Sequence, residues 1–327
     1  MMTLKQIEDN ISPLVEHYRR AYARLANSQV DTLIAIDSHI KQHSGKQLRP
    51  LLTLLSACSC GFSTHPDADH PLFTVCAALE TLHNASLIHD DIVDQSDTRR
   101  GVPTVNKMWS NRIAVLAGDY YLAQVMLAIN TVNHSAITAV IARTVQEMSE
   151  GELLQLEKQR HDTLDIDIYR NIIYKKTASF MSACCEAGAL MADCTPEQRI
   201  AARAFGTHIG MAFQMRDDVI DILPTQQTGK PQCNDLREHK STLPLITAIQ
   251  NAAADTKTRL LSLWNKETLT EEDIETLRDA IATDCNMQQM RHHIGDEQRK
   301  AHDAIGTLPD SPFRTMLDEI ADMMQYF

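Results

Sequence analysis

Two short clusters of aspartate have the spacing to hold cations. Asp90-Asp91-Ile92-Val93-Asp94 and Asp217-Asp218-Val219-Ile220-Asp221 each place two carboxylates four residues apart. On a helix such a pair projects from one face, about 6 Å apart along the axis. Like charges at that spacing weaken a helix by a few tenths of a kcal/mol, a penalty that counter-cations remove. Magnesium is the natural candidate, because it takes oxygen ligands, keeps several waters and is held by one or two carboxylates together with substrate phosphates. A single box in an acidic chain reads equally well as a solvated helix face. Two boxes point to chemistry, because each lies among apolar residues (Leu87, Ile88, Ile92; Val219, Ile220, Ile222) and each precedes a loop bearing Arg or Lys.

A phosphorylated ligand also needs cations of its own. Arg99-Arg100-Gly101 follow the first box by five residues, and Lys46 and Arg49 lie three apart in SGKQLRP at a predicted helix entrance. Guanidinium groups bind phosphate oxygens bidentately and lysine supplies a point charge. Each cluster alone is a weak signal. His83 lies seven residues before Asp90, on nearly the same helical face. Glu80 and His83 also have the E-x-x-H spacing of di-iron bundles, but the chain has no second such motif.

Helices must position these groups, and the helical period dominates the chain. Between Leu4 and His43, Ile7, Ile11, Leu14, Val15, Tyr18 and Tyr22 recur at three and four. Ser44-Gly45 breaks the pattern, and Pro50 suits the first turn of a helix that Leu51, Leu52, Leu54 and Leu55 carry to Gly61. Leu72 to Asp94 reads as one long helix without Gly or Pro, followed by the polar loop QSDTRRGVP. Helices are predicted over 113–132, 136–160 and 166–193, the last with Ala178, Ala183, Ala187, Gly188 and Ala189 for close packing. Thr195-Pro196-Glu197 starts the helix that carries the second box to about Leu223, and a second polar loop spans 224–244. No stretch alternates at period two. The expectation is an all-α chain, one domain over residues 1–327.

Composition agrees. The 43% apolar fraction supplies a core for 327 residues, whereas 11 Gly, 11 Pro and 5% aromatics are too few for a turn-rich β protein. A formal charge of -12 argues against a nucleic-acid partner, whose phosphates call for Lys and Arg. The N-terminal residues lack the basic start and apolar stretch of a signal peptide, and no run reaches about 18 apolar residues. A cytoplasmic protein with at most peripheral membrane contact is expected. The eight Cys show no paired C-x-x-C spacing and are expected to be reduced and mostly buried.

In order along the chain, these segments resemble the all-trans isoprenyl diphosphate synthases, or polyprenyl synthetases. HDDIVDQSDTRRG is similar to the family's first aspartate-rich motif and GMAFQMRDDVID to its second. SGKQLRP, AVLAGDYYLA at 114–123, Lys176-Thr177-Ala178 and DLREHKSTLPL at 235–245 match further motifs, all in family order across about residues 44–246. The resemblance implies a large helical bundle around a central substrate cavity. It also implies that Asp90, Asp94, Asp217 and Asp221 surround three Mg²⁺ on an allylic diphosphate, with Asp91 and Asp218 as further members of the metal boxes. Arg99, Lys176, Thr177, Gln214, Lys230 and Lys240 match positions that contact the allylic substrate or its metals. Lys46, Arg49, His83 and Arg100 match the isopentenyl diphosphate site.

The implied reaction ionises the allylic C–O bond. Isopentenyl diphosphate then attacks the delocalised cation, and proton loss gives a new trans allylic diphosphate, with the released diphosphate as proton acceptor. The family's chain-length determinant falls on Ala85 and Ser86, both small, which implies a product beyond C20; Met126 or Ile129 on the next helix is the candidate stop. Three positions depart from the pattern: Ser44 replaces a usual Gly, Gln47 a frequent Arg, and His239 the usual Gly before Lys240. KMWSNRIAVLAGDYY also resembles the catalytic subunit of two-component heptaprenyl or hexaprenyl synthases, so a small regulatory subunit stands beside the commoner homodimer as a possible partner. A class I terpene synthase is the competing enzyme class, and it needs no second diphosphate site.

Overall fold

The computed structural model describes residues 2–158, 164–223 and 233–325. It is all-α, with helices where the period places them. The described strands are a two-residue antiparallel pair, Thr98–Arg99 with Val102–Pro103, in the segment read from sequence as a polar loop. Arg100 (φ 54°) and Gly101 (φ 79°) form the turn between them, and positive φ at both central residues is what a tight hairpin of matching twist requires. The Arg-Arg-Gly run is therefore a hairpin tip.

The chain divides into two compact units of discontinuous segments. The first comprises Met1–Ala142, Ala183–Ala202 and Leu308–Leu317. Its centre is the helix Pro71–Val93, entered through Pro71 and a His70 side chain that accepts from the Leu72 N–H. This helix is apolar all round, and the helices Asn111–Val132, Ser12–Leu25 and Leu48–Ser59 pack against it. Two glycines stand where neighbouring groups approach. A Cβ on Gly118 would lie 2.2 Å from His89 Nε2, and one on Gly188 would lie 2.1 Å from the Thr53 carbonyl oxygen.

The second unit comprises Arg143–Ser182, Arg203–Thr307 and Asp318–Phe327. Here Leu243–Asn251 packs on Asp284–Ile305, Glu271–Ile281 and Ala254–Trp264. Buried Glu297 on Asp284–Ile305 accepts from Arg170 (2.5 Å), His208 (2.8 Å) and Lys300 (2.9 Å). Although burial alone would raise it, these three donors hold its carboxyl down at about 2, so it ties the helices carrying Arg170 and His208 to its own. The stretch 166–193, expected to be one helix, contains a π-helical turn at Tyr174–Ala178, where Ser179 N–H bonds Tyr174 O.

Candidate active site

The first box closes the helix Pro71–Val93. Asp90 and Asp94 are partly exposed, whereas Asp91 between them is buried. Helical geometry turns the middle residue inward, and the hairpin supplies its partner: Arg99 Nε and Nη2 donate to Asp91 Oδ1 at 2.9 and 2.8 Å. Burial raises the Asp91 carboxyl and Arg99 opposes that rise. Asp91 thus holds Arg99 and the hairpin in place, and leaves the outer pair, Asp90 and Asp94, on the exposed side.

The cations assigned to a second diphosphate gather in the same unit. Arg49 Nη1 donates to His83 Nε2 at 3.1 Å, which makes that nitrogen an acceptor. Burial, followed by the charges of Arg49 and Arg100, pushes the His83 pKa well below its usual value, so the ring is neutral. Arg100 Nη1 donates to the His43 carbonyl at 2.9 Å, and its guanidinium fills the place a Cβ on Gly45 would take, 2.5 Å from Nη2. Gly45 therefore lets the Lys46 loop approach the hairpin tip. Glu80, one turn before His83, is buried; that raises its carboxyl, and Arg49 and Arg100 oppose it. Glu80 and His83 thus lie one helical turn apart, and both feel the charges of Arg49 and Arg100.

The second box lies near the end of the helix Pro196–Ile222, with Asp217 exposed and Asp221 partly exposed. Asp218 is buried, and its hydrogen-bond partners among the described residues are uncharged. It accepts from Tyr169 Oη at 2.7 Å and from Gln214 Nε2 at 2.8 Å, and burial pushes its carboxyl up to about 7. Gln214 Oε1 accepts in turn from the Thr177 hydroxyl at 2.8 Å. Asp221 Oδ2 accepts the Asp235 N–H at 3.0 Å. Burial raises Asp235 well above the carboxylate range, with Asp218 and Asp221 adding to the rise and Lys240 opposing it.

A cleft of about 160 Å³ opens on this network, lined by Lys176, Thr177, Gln214, Asp218 and Lys240. The π-helical turn carries Lys176 and Thr177, and Gly151 lets the neighbouring helix meet it: a Cβ there would lie 2.7 Å from Lys175 Cβ. Lys176 Nζ pairs with Glu152 (2.5 Å) and Gln155 (3.1 Å), and Lys240 Nζ with Glu238 (2.5 Å). Thr242 Oγ1, also on this cleft, is buried with no hydrogen-bond partner among the described residues, which suits an oxyanion. Lys230 lies outside the described residues.

Sequence reasoning missed Tyr169, Asp235 and Glu152. Tyr169 carried no signal in the sequence, because the π-helical turn between it and Lys176 takes the seven-residue spacing off a common face. Asp235 was in view as the first letter of DLREHK but carried no role.

The chain-length residues separate. Ala85 is fully buried in the seam with Ala114, Ala117 and Tyr121, so it packs helix to helix, whereas Ser86 is partly exposed. Of the two candidate stops, Met126 is 69% exposed and Ile129 is 3% exposed. Met126 shares an outward face with Val115, Leu116 and Leu127. The helix Asn111–Val132 is in fact long and apolar enough to cross a membrane by length and composition, contrary to the reading that no run is. That reading overlooked how few charges interrupt it.

Comparison with known proteins gives one answer. Residues 30–281 match the family described as polyprenyl synthetase. The chain is 33% identical over 295 residues to the all-trans-nonaprenyl-diphosphate synthase (geranyl-diphosphate specific) of Rhodobacter capsulatus, covering 89% of this chain and 88% of the relative. It is 31% identical to a short chain isoprenyl diphosphate synthase of Methanothermobacter thermautotrophicus, covering 93% and 96%. Among solved structures, the polyprenyl synthase from Caulobacter crescentus, complexed with calcium and isoprenyl diphosphate, superposes with a TM-score of 0.90 at 31% identity, covering 99% of this chain and 97% of that one. With the motifs on their helices and the match running over most of its length, the chain belongs to the polyprenyl synthetase family, whose members are prenyltransferases.

Proposed function

We propose that this prenyl diphosphate synthase extends an allylic diphosphate (farnesyl or geranylgeranyl) with successive isopentenyl diphosphates to a long-chain all-trans product, for use as a quinone side chain. The observation that carries the reading is two separately built groups of cations, Arg49 and Arg100 around the neutral His83, and Lys176 with Lys240, each beside its own aspartate box. A terpene synthase has one diphosphate to bind and no use for the first.

The donor set suits Mg²⁺. Among the described residues no group of three or more His, Cys, Asp or Glu is gathered to hold a metal ion by itself. Open carboxylate pairs are how this ion is held when substrate phosphates complete its shell. Asp90 and Asp94, and Asp217 with Asp221, would hold it, while Asp91 and Asp218 keep the pairs in place. Bound Mg²⁺ supplies charge neutralisation for the departing diphosphate. The chain's own groups do the rest: Lys176, Lys240 and Arg99 bind and orient the allylic diphosphate, and Lys46, Arg49, His83 and Arg100 hold isopentenyl diphosphate in register, the entropic part of catalysis. The small Ser86 supports a long product.

The outward face of Val115, Leu116, Met126 and Leu127 supports a homodimer, because a second copy would cover it. The test is incorporation of labelled isopentenyl diphosphate by the purified chain with Mg²⁺ and farnesyl diphosphate, with products separated by length and mass measured in solution. Products beyond C20 from a dimer are expected, and Ser86→Phe shortens them. Products of C15 or C20 only would refute the long-chain reading. Incorporation only after a second protein is added would replace the homodimer with the two-component assembly.

A further inference from the structure

His239 occupies a backbone conformation that its residue type rarely adopts. Its φ is 52°, in the left-handed region where Cβ crowds the following carbonyl. The turn around it is tightly closed: His239 N–H donates to Leu236 O at 3.1 Å and Lys240 N–H to Asp235 O at 2.8 Å. The side chain is only 8% exposed. Its Nε2 donates to the Lys266 carbonyl at 2.9 Å, and the ring centroid lies 5.1 Å from that of Trp264. Lys266 is itself fixed, with Nζ 2.7 Å from Asp273, the residue that closes the capping box of the next helix. The imidazole is thus anchored at the end of the helix Ala254–Trp264, an element without any motif. The next residue along the chain, Lys240, lines the cleft with Lys176 and Asp218.

We infer that His239 is a positioning residue whose ring, pinned by Trp264 and the Lys266 carbonyl, fixes the left-handed turn that presents Lys240 to the allylic diphosphate. Glycine at 239 would adopt the turn without strain but leave it untethered. Histidine accepts the strain and adds the tether, so loop geometry here is set by a side-chain anchor. The inference rests on the proposed role of Lys240 as an allylic diphosphate ligand.

His239→Gly, His239→Gln, His239→Phe and Lys240→Ala test it in the full chain, with KM measured separately for farnesyl and isopentenyl diphosphate. Trp264 emission is followed in a Trp109→Phe background, since the chain has 2 Trp. His239→Gly is expected to raise the farnesyl diphosphate KM about tenfold while the isopentenyl diphosphate KM stays within about twofold, and to red-shift Trp264 as its ring face opens to water. His239→Gln keeps the donor to Lys266 O and recovers most of that KM. His239→Phe keeps the stack without the donor, shows a loss between the two, and carries the test if the glycine variant does not fold. An unchanged farnesyl KM in His239→Gly beside a raised one in Lys240→Ala overturns the inference alone, as does an equal rise in both KM values. An unchanged farnesyl KM in Lys240→Ala removes the Lys240 role and the inference together.

Discussion

The middle aspartate of the first box meets a guanidinium, while the middle aspartate of the second meets a phenol and an amide. Asp91 is paired with Arg99 at 2.8 Å, whereas Asp218 takes Tyr169 at 2.7 Å and Gln214 at 2.8 Å and is pushed up to about 7. The two boxes share spacing, helix position and the inward turn of the central residue. They differ in what lies beneath. A five-residue motif fixes which carboxylates face out, and the neighbouring elements, a hairpin in one unit and the helix Ile166–Ile173 in the other, fix how the buried one is stabilised. The outer pairs should therefore behave alike and the inner residues differently.

The largest effects test the likeness. Asp90→Ala and Asp217→Ala each remove an outer carboxylate, and each is expected to lower kcat/KM about a thousandfold, the several kcal/mol that a metal site contributes to charge stabilisation. Thermal midpoints should hardly move, because both groups are at least partly exposed. A near-normal rate in one variant alone would make the boxes functionally unequal.

Packing glycines give the next contrast, in stability. A Cβ at 210 would lie 2.4 Å from Ala178 Cα, a backbone atom that cannot step aside, whereas a Cβ at 118 would meet the ring of His89, which can rotate. Gly210→Ala is expected to destabilise by about 2–3 kcal/mol. Gly118→Ala should be near neutral, since the gain in helix propensity of about 1 kcal/mol offsets the displaced ring. Urea midpoints would show it, and equal losses would mean that His89 is as rigid as the backbone around it.

These contrasts mark what the sequence carried. Helices were legible because Ile7, Leu14 and Tyr18, or Leu51 to Leu55, recur at a period only a helix satisfies, and the outer aspartates follow from the same period. The Thr98 to Pro103 hairpin was not, because two-residue strands are too short for a period to register. The π-helical turn at Tyr174–Ala178 was invisible for a related reason: one extra residue in a ladder leaves local composition unchanged. The exposure of Met126 was not legible, because a helix with apolar residues on its buried and its outer faces does not say which apolar residue faces the core. Tyr169 belongs to an element distant in sequence from Asp218, and Arg99, though only eight residues from Asp91, reaches it through a hairpin; periodicity cannot report a partner on another element.

The smallest effects bear on how the inner aspartates are held. Arg99→Gln leaves a carboxylate, whose side chain is 6% exposed, without its hydrogen-bonded guanidinium. Removing one partner of a buried pair costs several kcal/mol, but Arg99 is itself 36% exposed and water screens the pair, so about 2 kcal/mol is expected. Tyr169→Phe removes one of two neutral donors from a carboxyl that burial already inclines to keep its proton, for about 1 kcal/mol. Ionic strength separates the two mechanisms where size alone would not. Between about 0.05 and 0.5 M salt the Debye length shrinks from well beyond to about the length of the pair, so the Arg99→Gln loss should shrink with it while the Tyr169→Phe loss stays constant. Unfolding midpoints at both salt concentrations measure this, and a salt-independent Arg99→Gln loss would mean that Asp91, like Asp218, is held by packing and hydrogen-bond geometry more than by charge.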